Sequence, residues 1–239
     1  MTHSKRPQYG TPRRLFLSIS GSIFFGIPHR SLAADATQLL DSHHPRPIIT
    51  GTEHIPNSGA FMVVANHYQR AHLWIGWVGA LLVEAVHNVR PARTPIRIIV
   101  TDSQRVKGFG RDITIPFSHY FLGRIAHIWE MIPMPAERNA AAGRARALKT
   151  TLGLLQSGLP ALIFPEGDSG TAYGLTEALP GTGTFIKLAS RRAVILPCGF
   201  WEDGDYLCGQ IASPLTIASA DDSAIREQVM TAIEQLLPR

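Results

Sequence analysis

Cysteine is scarce in this chain of 239 residues, which contains only Cys198 and Cys208. Two cysteines cannot form the disulfide framework of a small secreted protein, and both lie in or near predicted strands, where cysteine usually packs as a small apolar side chain. Internal repeats, low-complexity tracts and apolar runs of the ~20 residues that an ordinary transmembrane helix needs are also missing. With 45% hydrophobic residues the composition is that of a globular protein, and the length suffices for one sizeable core.

Acidic residues are absent from the first thirty positions, which contain five basic ones: Lys5, Arg6, Arg13, Arg14 and Arg30. The other 18 basic residues balance the 18 acidic residues of the chain, so the net charge of +5 resides in this N-terminal part. A nucleic-acid-binding protein would normally carry a basic stripe across its folded domain. We therefore predict no nucleic-acid partner, and we divide the chain into an N-terminal segment, residues 1–45, and a domain, residues 46–239.

An apolar run at residues 15–28 follows four of these basic residues and leaves three interpretations open. The run forms a helix docked on the domain, or the core of a signal peptide with small residues at 31–34, or an anchor in the membrane interface. An anchor would bury its large apolar side chains in the acyl boundary: Phe16, Leu17, Ile19, Ile23, Phe24 and Phe25. Each buried apolar side chain contributes about 1.5–3 kcal/mol and each basic residue about 1 kcal/mol, so we predict attachment to the cytoplasmic face of a membrane.

Short apolar segments alternate with helix-like stretches from residue 47 onward. Strands are predicted at residues 47–50, 60–65, 96–101, 131–134, 160–164 and 193–200. Helices are predicted near residues 73–88, 115–128, 140–157, 185–190 and 222–237. This alternation indicates an α/β fold in which helices cover both faces of a mixed central sheet, preceded by the basic and apolar N-terminal helix.

Polar residues suited to catalysis follow two of the predicted strands, at 60–65 and 160–164. In chain order these residues are Asn66, His67, Pro165, Glu166 and Gly167. Ligands and catalytic groups of open α/β sheets collect at the carboxyl ends of strands, and histidine suits a general base because its ordinary pKa lies near neutral pH. Either motif alone is also typical of a capped helix or an ordinary turn, but together they predict one site.

The order and spacing of these motifs resemble the lysophosphatidic acid acyltransferase family of glycerolipid acyltransferases, from about residue 47 to the C-terminus. That family has a Gly-x-Glu-x-x-Pro stretch, an Asn-His-x4-Asp motif, an arginine-bearing block, a Phe-Pro-Glu-Gly-Thr-Arg-Ser motif and a strand with an inner proline. Four of these begin here at Gly51, Asn66, Phe164 and Val194. The resemblance implies a fold like that of glycerol-3-phosphate acyltransferase.

The resemblance also implies a reaction. The motif histidine, His67 here, takes the proton from a hydroxyl of a lysophospholipid or related lipid, which attacks the thioester carbonyl of acyl-CoA or acyl-carrier protein. No metal or other cofactor is implied, because the thioester is already activated. His72 occupies the position of the catalytic aspartate. The implied substrate-binding residues are Asn66, Arg138, Phe164, Pro165, Glu166, Gly167, Asp168 and Pro197.

Three departures from the family pattern are visible. His72 replaces the aspartate that would orient His67 and stabilise its cation, a service that Asp168 or Asp102 would have to supply from another strand end. Asp168 and the two residues after it stand where the family has Thr-Arg-Ser, which disfavours an anionic acceptor. The arginine of the middle block comes late, so Arg138 or Arg144 would have to serve.

Other functions therefore stay open beside acyl transfer. The chain is alternatively a lipid-binding pseudoenzyme that has lost the chemistry, or a thioesterase-like hydrolase with water as acceptor. A metal site built from His67 and His72 with His119 or His127 would lack a secure third ligand at this spacing.

Overall fold

The computed structural model describes residues 6–25, 30–90, 95–103, 105–108, 111–115, 117–135, 140–167 and 170–238. Two of the predicted substrate-binding residues, Arg138 and Asp168, lie outside these ranges. The helices are α1 Arg13–Phe25, α2 Leu32–Asp41, α3 Gly76–Val89, α4 Ser118–Ile128, α5 Ala141–Gln156, α6 Thr182–Ser190 and α7 Asp222–Glu234. The strands are β1 Ile48–Thr50, β2 Phe61–Ala65, β3 Arg97–Thr101, β4 Arg105–Gly108, β5 Arg111–Thr114, β6 Ile132–Met134, β7 Ala161–Ile163, β8 Val194–Asp203 and β9 Tyr206–Ile211.

The central sheet has seven strands in the order β1-β9-β8-β2-β7-β3-β6. Strands β8, β2, β7, β3 and β6 are mutually parallel, whereas β9 runs antiparallel to β8 and pairs in parallel with β1. Strands β4 and β5 form a separate antiparallel hairpin. The predicted mixed sheet is confirmed, and its parallel strands bring the carboxyl ends of β2, β7 and β3 to one edge.

Helices cover both faces of this sheet, as predicted. Because side chains alternate along a strand, Phe61, Val63 and Ala65 of β2 join one core cluster while Met62 and Val64 join the other. The first cluster includes residues of α2 and α3, and the second includes residues of α5, α6 and α7. The chain therefore has a three-layer α/β architecture.

All six predicted strands are present within three residues of their predicted ends, and the five predicted helices of the domain are present as well. Asp221 caps the last helix, because its side chain accepts a hydrogen bond from the backbone N–H of Ala224 at 2.8 Å. The helix predicted near residues 73–88 begins three residues later, at Gly76. Helix α2, strand β9 and the β4–β5 hairpin were not predicted.

The N-terminal residues pack against the domain. Tyr9, Leu15 and Leu40 belong to the same core cluster as β2 and α3. Arg30 pairs with Asp35 of α2, which also accepts a hydrogen bond from the indole N–H of Trp129 at 2.8 Å. The small residues considered as a signal cleavage site form the N-cap and first turn of α2.

Helix α1 is apolar on its exposed side as well as its buried side. The sequence analysis placed Ile19 and Ile23 among the side chains of a membrane anchor. In the structure Leu15 and Ile23 are buried and Ile19 packs on the core, so Ile19 and Ile23 do not face a membrane. Four large apolar side chains of α1 remain exposed: Phe16, Leu17, Phe24 and Phe25. Of the helices that the structure describes, none combines the length and the apolarity needed to cross a membrane.

Candidate active site

The two predicted motifs meet at one edge of the sheet. Strands β2 and β7 are neighbours and pair in parallel, with Val64 opposite Ile163. Asn66 and His67 directly follow β2, and the turn that contains Glu166 directly follows β7. The convergence predicted from the strand ends is therefore observed.

Asn66 fixes the point at which the chain leaves the sheet. Its side chain is 3% exposed, and its amide oxygen accepts a hydrogen bond from the backbone N–H of Phe200 at 2.7 Å. Its amide nitrogen donates to the carbonyl oxygen of Phe200 at 2.9 Å. Asn66 thus continues the β2–β8 pairing through its side chain. Asn66 does not cap α3. Because its described amide contacts hold it to β8, it fixes the start of the loop that carries His67.

Glu166 holds the backbone of His67. Its carboxylate is buried, and one oxygen accepts a hydrogen bond from the backbone N–H of His67 at 2.6 Å. The other oxygen accepts from the backbone N–H of Thr176 at 2.7 Å and from its hydroxyl at 3.1 Å. A buried carboxylate requires such donors, since an unpaired one would be costly to desolvate. Glu166 therefore joins three segments: the turn after β7, the loop after β2 and the loop before α6.

The ring of His67 lies against Phe164, edge to face, with ring centroids 5.2 Å apart, and the residue stays partly exposed. Gly170 packs against the Cβ and the backbone of His67. A Cβ at Gly170 would lie 2.4 Å from the Cβ of His67 and 2.7 Å from its carbonyl oxygen, so only glycine fits there. The turn itself uses Gly167 at a φ of +66°, where its N–H donates to the carbonyl of Phe164. These contacts fix the imidazole beside the turn that the sequence motif predicted.

His72 lies on a tight turn that the backbone hydrogen bonds between Arg70 and Leu73 close. It has a φ of +64° and an exposed side chain. Its carbonyl oxygen accepts a hydrogen bond from the backbone N–H of Tyr9 at 2.8 Å. The turn therefore directs the His72 side chain toward solvent, and a role in orienting His67 stays a prediction.

The remaining predicted residues lie at or near the same edge. Asp102 directly follows β3, and the axes of β3 and β2 are about 10 Å apart because one strand lies between them. One carboxylate oxygen of Asp102 is 3.6 Å from Nδ1 of His119. Arg144 lies in the first turn of α5. Pro197 is buried within β8 opposite Val64, and Pro165 is buried in the turn after β7.

A network that the sequence did not predict fixes the loop after His67. The guanidinium of Arg70 pairs with the carboxylate of Glu202, which also accepts a hydrogen bond from the hydroxyl of Tyr68 at 3.2 Å. Arg70 further donates to the carbonyl of Pro7 at 2.8 Å, which ties the N-terminal residues to this loop. Burial, followed by the charge of Glu202, raises the pKa of Tyr68 to about 12. Glu202 lies 132 positions from Arg70, so no local pattern could have paired them.

A cavity of about 470 Å³ opens beside this network. Its lining includes Asn66, Tyr68, Glu202 and Arg6, with the segment 171–175 as a further wall. Within the described part of the chain, no three histidine, cysteine, aspartate or glutamate residues come together as a possible metal site.

Comparisons with known proteins identify the family to which the sequence is similar. The family model named Acyltransferase matches residues 46–201. An uncharacterized protein of Mycobacterium tuberculosis is 28% identical over 156 residues, which cover 63% of this chain and 36% of that protein. An uncharacterized protein of Mycobacterium leprae is 27% identical over 156 residues, covering 63% of this chain and 35% of that protein. The alignments thus span about a third of the length of these curated relatives.

A solved structure shares the fold. The crystal structure of the 1-acyl-sn-glycerophosphate (LPA) acyltransferase PlsC from Thermotoga maritima has a TM-score of 0.51 and 16% sequence identity, covering 94% of this chain and 95% of that chain. The family model covers more than half of the sequence and includes both strand ends that form the site. The chain therefore belongs to the acyltransferase family.

Proposed function

We propose that this protein transfers a fatty acyl group from acyl-CoA or acyl-carrier protein to a hydroxyl of a lysophospholipid or related lipid, with His67 as general base. The observation that carries the proposal is the fixed position of His67. Its backbone N–H is bound by Glu166, its ring packs on Phe164, and the residue remains partly exposed. The family and the name of the Thermotoga maritima protein support this reaction class.

The chemistry needs one base and a fixed geometry. The imidazole of His67 takes the proton of the acceptor hydroxyl as the oxygen attacks the thioester carbonyl. The tetrahedral intermediate then expels the thiolate, and the proton passes from the imidazolium to that sulfur. A positioned base of this kind contributes about 10²–10⁴-fold to the rate. A thioester is already activated, so we expect the reaction to need no metal or prosthetic group.

The residues after the Phe-Pro-Glu-Gly turn bear on the choice of acceptor. In the related motif an arginine follows the Phe-Pro-Glu-Gly turn, whereas Asp168 and Ser169 follow it here. A carboxylate in that place disfavours an anionic headgroup. We therefore propose a panel that contains neutral glycolipids as well as lysophospholipids, each offered with acyl-CoA and with acyl-carrier protein.

The test is acyl transfer from a radiolabelled thioester to this panel by the full chain and by His67→Ala. We expect His67→Ala to lower the turnover at least about 10²-fold while the protein stays folded. The matched control is His87→Ala, because His87 is an exposed residue of α3. Near wild-type turnover in folded His67→Ala would contradict the assignment of the base.

The same assay separates the two alternative functions. Release of free fatty acid without acylated lipid would identify a thioesterase-like hydrolase. Binding of lipid without turnover on any acceptor would identify a pseudoenzyme, consistent with the replacement of the motif aspartate by His72.

A further inference from the structure

Every second side chain of the loop after β2 is bound by β8. The side chain of Asn66 pairs with the backbone of Phe200. Two residues on, the hydroxyl of Tyr68 accepts a hydrogen bond from the backbone N–H of Glu202 at 3.1 Å and donates to its carboxylate at 3.2 Å. Two residues further, the guanidinium of Arg70 donates through Nε to the same carboxylate at 2.7 Å and through Nη2 to its other oxygen. Residues 66, 68 and 70 therefore fix one side of the loop to β8.

The residues between them contact the other neighbour of β2. The backbone N–H of His67 binds Glu166 in the turn after β7, and its ring packs on Phe164. The amide nitrogen of Gln69 lies 3.5 Å from the carbonyl oxygen of Gly170, which follows the same turn. The loop thus keeps the alternation of side chains that a strand has. Because its even-numbered side chains are held by β8, the imidazole of His67 is directed toward the turn after β7.

The ion pair at the end of the loop has little freedom to move. The side chains of Arg70 and Glu202 are 5% and 9% exposed, so salt screens their attraction only weakly. A guanidinium that binds both oxygens of a carboxylate fixes direction as well as distance. Arg70 also donates to the carbonyl oxygens of Ala71 at 2.7 Å and Pro7 at 2.8 Å. Glu202 is itself held in β8, where it pairs with Leu207 of β9.

We propose that Arg70 and Glu202 are positioning residues for His67. Their ion pair holds the loop after β2 from the β8 side, as Glu166 holds it from the β7 side. This inference rests on the proposed function, because it gives the pair a part in the same reaction. Glu202 and Tyr68 also line the cavity of about 470 Å³, but the described bonds of the Glu202 carboxylate go to Tyr68 and Arg70. The pair therefore acts on the rate of the chemical step and not on substrate binding.

The first test replaces Arg70 by lysine. Arg70→Lys keeps the charge but loses the planar fork that binds both carboxylate oxygens. Radiolabelled acyl-CoA is offered with the panel of lysophospholipids and neutral glycolipids, and kinetics are measured on the acceptor that the parent acylates fastest. A displacement of about 1 Å can lower a rate about 10²-fold, so we expect kcat to fall about tenfold or more with KM nearly unchanged.

The matched control makes the same change in another ion pair. Arg30 also binds both carboxylate oxygens of its partner, Asp35, and these side chains are 17% and 11% exposed. Arg30→Lys should therefore leave kcat as in the parent. Tyr68→Phe removes only the hydroxyl bound to Glu202 and leaves the ion pair in place. It replaces Arg70→Lys as the test if that protein does not fold, and we expect it to lower kcat severalfold.

A double-variant cycle separates positioning from a loss of stability. Arg70→Lys is also made in the His67→Ala protein. A residue that acts through the imidazole has nothing to position once the ring is removed, so the second change should lower the remaining turnover by less than about twofold. A residue that only stabilises the fold would lower turnover to the same degree in both backgrounds, and that result would overturn the proposal.

Two other kinetic results would overturn it as well. A folded Arg70→Lys protein, or Tyr68→Phe in its place, with the kcat of the parent would show that the loop needs no such support. A raised KM with unchanged kcat would mean that the pair contacts a substrate.

A measurement without turnover keeps this test apart from that of the proposed function. The ring resonances of isotope-labelled histidine are recorded by nuclear magnetic resonance, and those of His67 are identified by their loss in His67→Ala. We expect them to shift in Arg70→Lys and to stay in place in Arg30→Lys. An inert parent that shows this shift would contradict the proposed reaction and support the positioning of His67. Unshifted His67 resonances in a folded Arg70→Lys protein would overturn the positioning role whatever the turnover.

Discussion

Replacing Glu166 by glutamine tests whether this carboxylate positions His67 or binds the acceptor. The carboxylate accepts hydrogen bonds from two backbone N–H groups, those of His67 and Thr176, and a glutamine amide has only one oxygen to offer them. One buried N–H group would therefore face an NH2 group. An unsatisfied buried donor costs about 1–3 kcal/mol, so we expect the free energy of unfolding to fall by about that amount. Stabilities of about 5–15 kcal/mol are common, which leaves the variant folded.

The expected effect on activity follows from the same contact. When the backbone of His67 loses its acceptor, the imidazole shifts, and a displacement of about 1 Å can lower a rate about 10²-fold. We expect kcat to fall about 10- to 100-fold with KM nearly unchanged, because the described contacts of the buried carboxylate are to the protein itself. Glu177→Gln makes the same chemical change at an exposed residue of the same loop and should alter neither quantity.

The assays are urea unfolding and acyl transfer kinetics for both variants. A raised KM with unchanged kcat would mean that Glu166 contacts the acceptor, as the family resemblance implies, and would refute the positioning role. A Glu166→Gln protein with the stability and turnover of the parent would refute the reasoning altogether.

Three further changes probe the frame around the site. Asn66→Ala leaves the buried N–H and carbonyl that it binds in β8 without partners, and urea unfolding should show a loss of roughly 2–5 kcal/mol; a loss below about 1 kcal/mol would contradict this role. His72→Asp should change the turnover less than twofold because the side chain faces solvent, whereas Asp168→Asn should lower it at least about tenfold if that carboxylate orients His67. A severalfold gain in His72→Asp would restore the sequence-based role of that position. Burial lowers the pKa of His43, so the unfolded chain takes up its proton first as pH falls below ~6.5. The free energy of unfolding should therefore decrease from pH 7 to pH 5, and a His43→Gln protein with the same pH slope would contradict this.

The N-terminal segment shows how two sequence interpretations can both apply. The structure docks α1 on the domain through Leu15 and Ile23, as one interpretation predicted, and leaves Phe24 and Phe25 exposed, as an anchor requires. A membrane role stays a proposal. Deletion of residues 1–30 would remove the four exposed apolar side chains of α1, but it would also remove Tyr9 from the core. Replacement of the exposed Phe24 and Phe25 by serine is therefore the cleaner test.

Local pattern predicted most elements of the fold and the two strand ends that meet at the candidate site. Short runs rich in valine and isoleucine predicted β2, β3 and β8, because period and composition reflect how each residue packs on a sheet. The same reasoning missed α2 and β9. Strand β9 contains Cys208 and Gly209, which carry little strand signal, and it is stabilised by its pairing with β8 and β1.

The sequence also pointed to the residues of the candidate site, but it did not predict the contacts that they make. The motifs identified Asn66, His67 and Glu166, and the order of β2 and β7 in the sheet brought them together. Tertiary structure alone decided that Asn66 binds the backbone of Phe200, 134 positions away, and that Glu166 binds the backbone of His67, 99 positions away. Such contacts depend on which strands become neighbours, a long-range property that no local window contains.

The burial pattern of α1 has the same origin. The sequence determined that α1 is apolar and begins with arginines, since both properties belong to the segment itself. Only the packing of α1 on the core and on α4 decided which of its side chains are buried, and its packing on α4 placed Phe24 beside Phe121. Burial is a property of the whole fold, because a side chain leaves water when another element covers it.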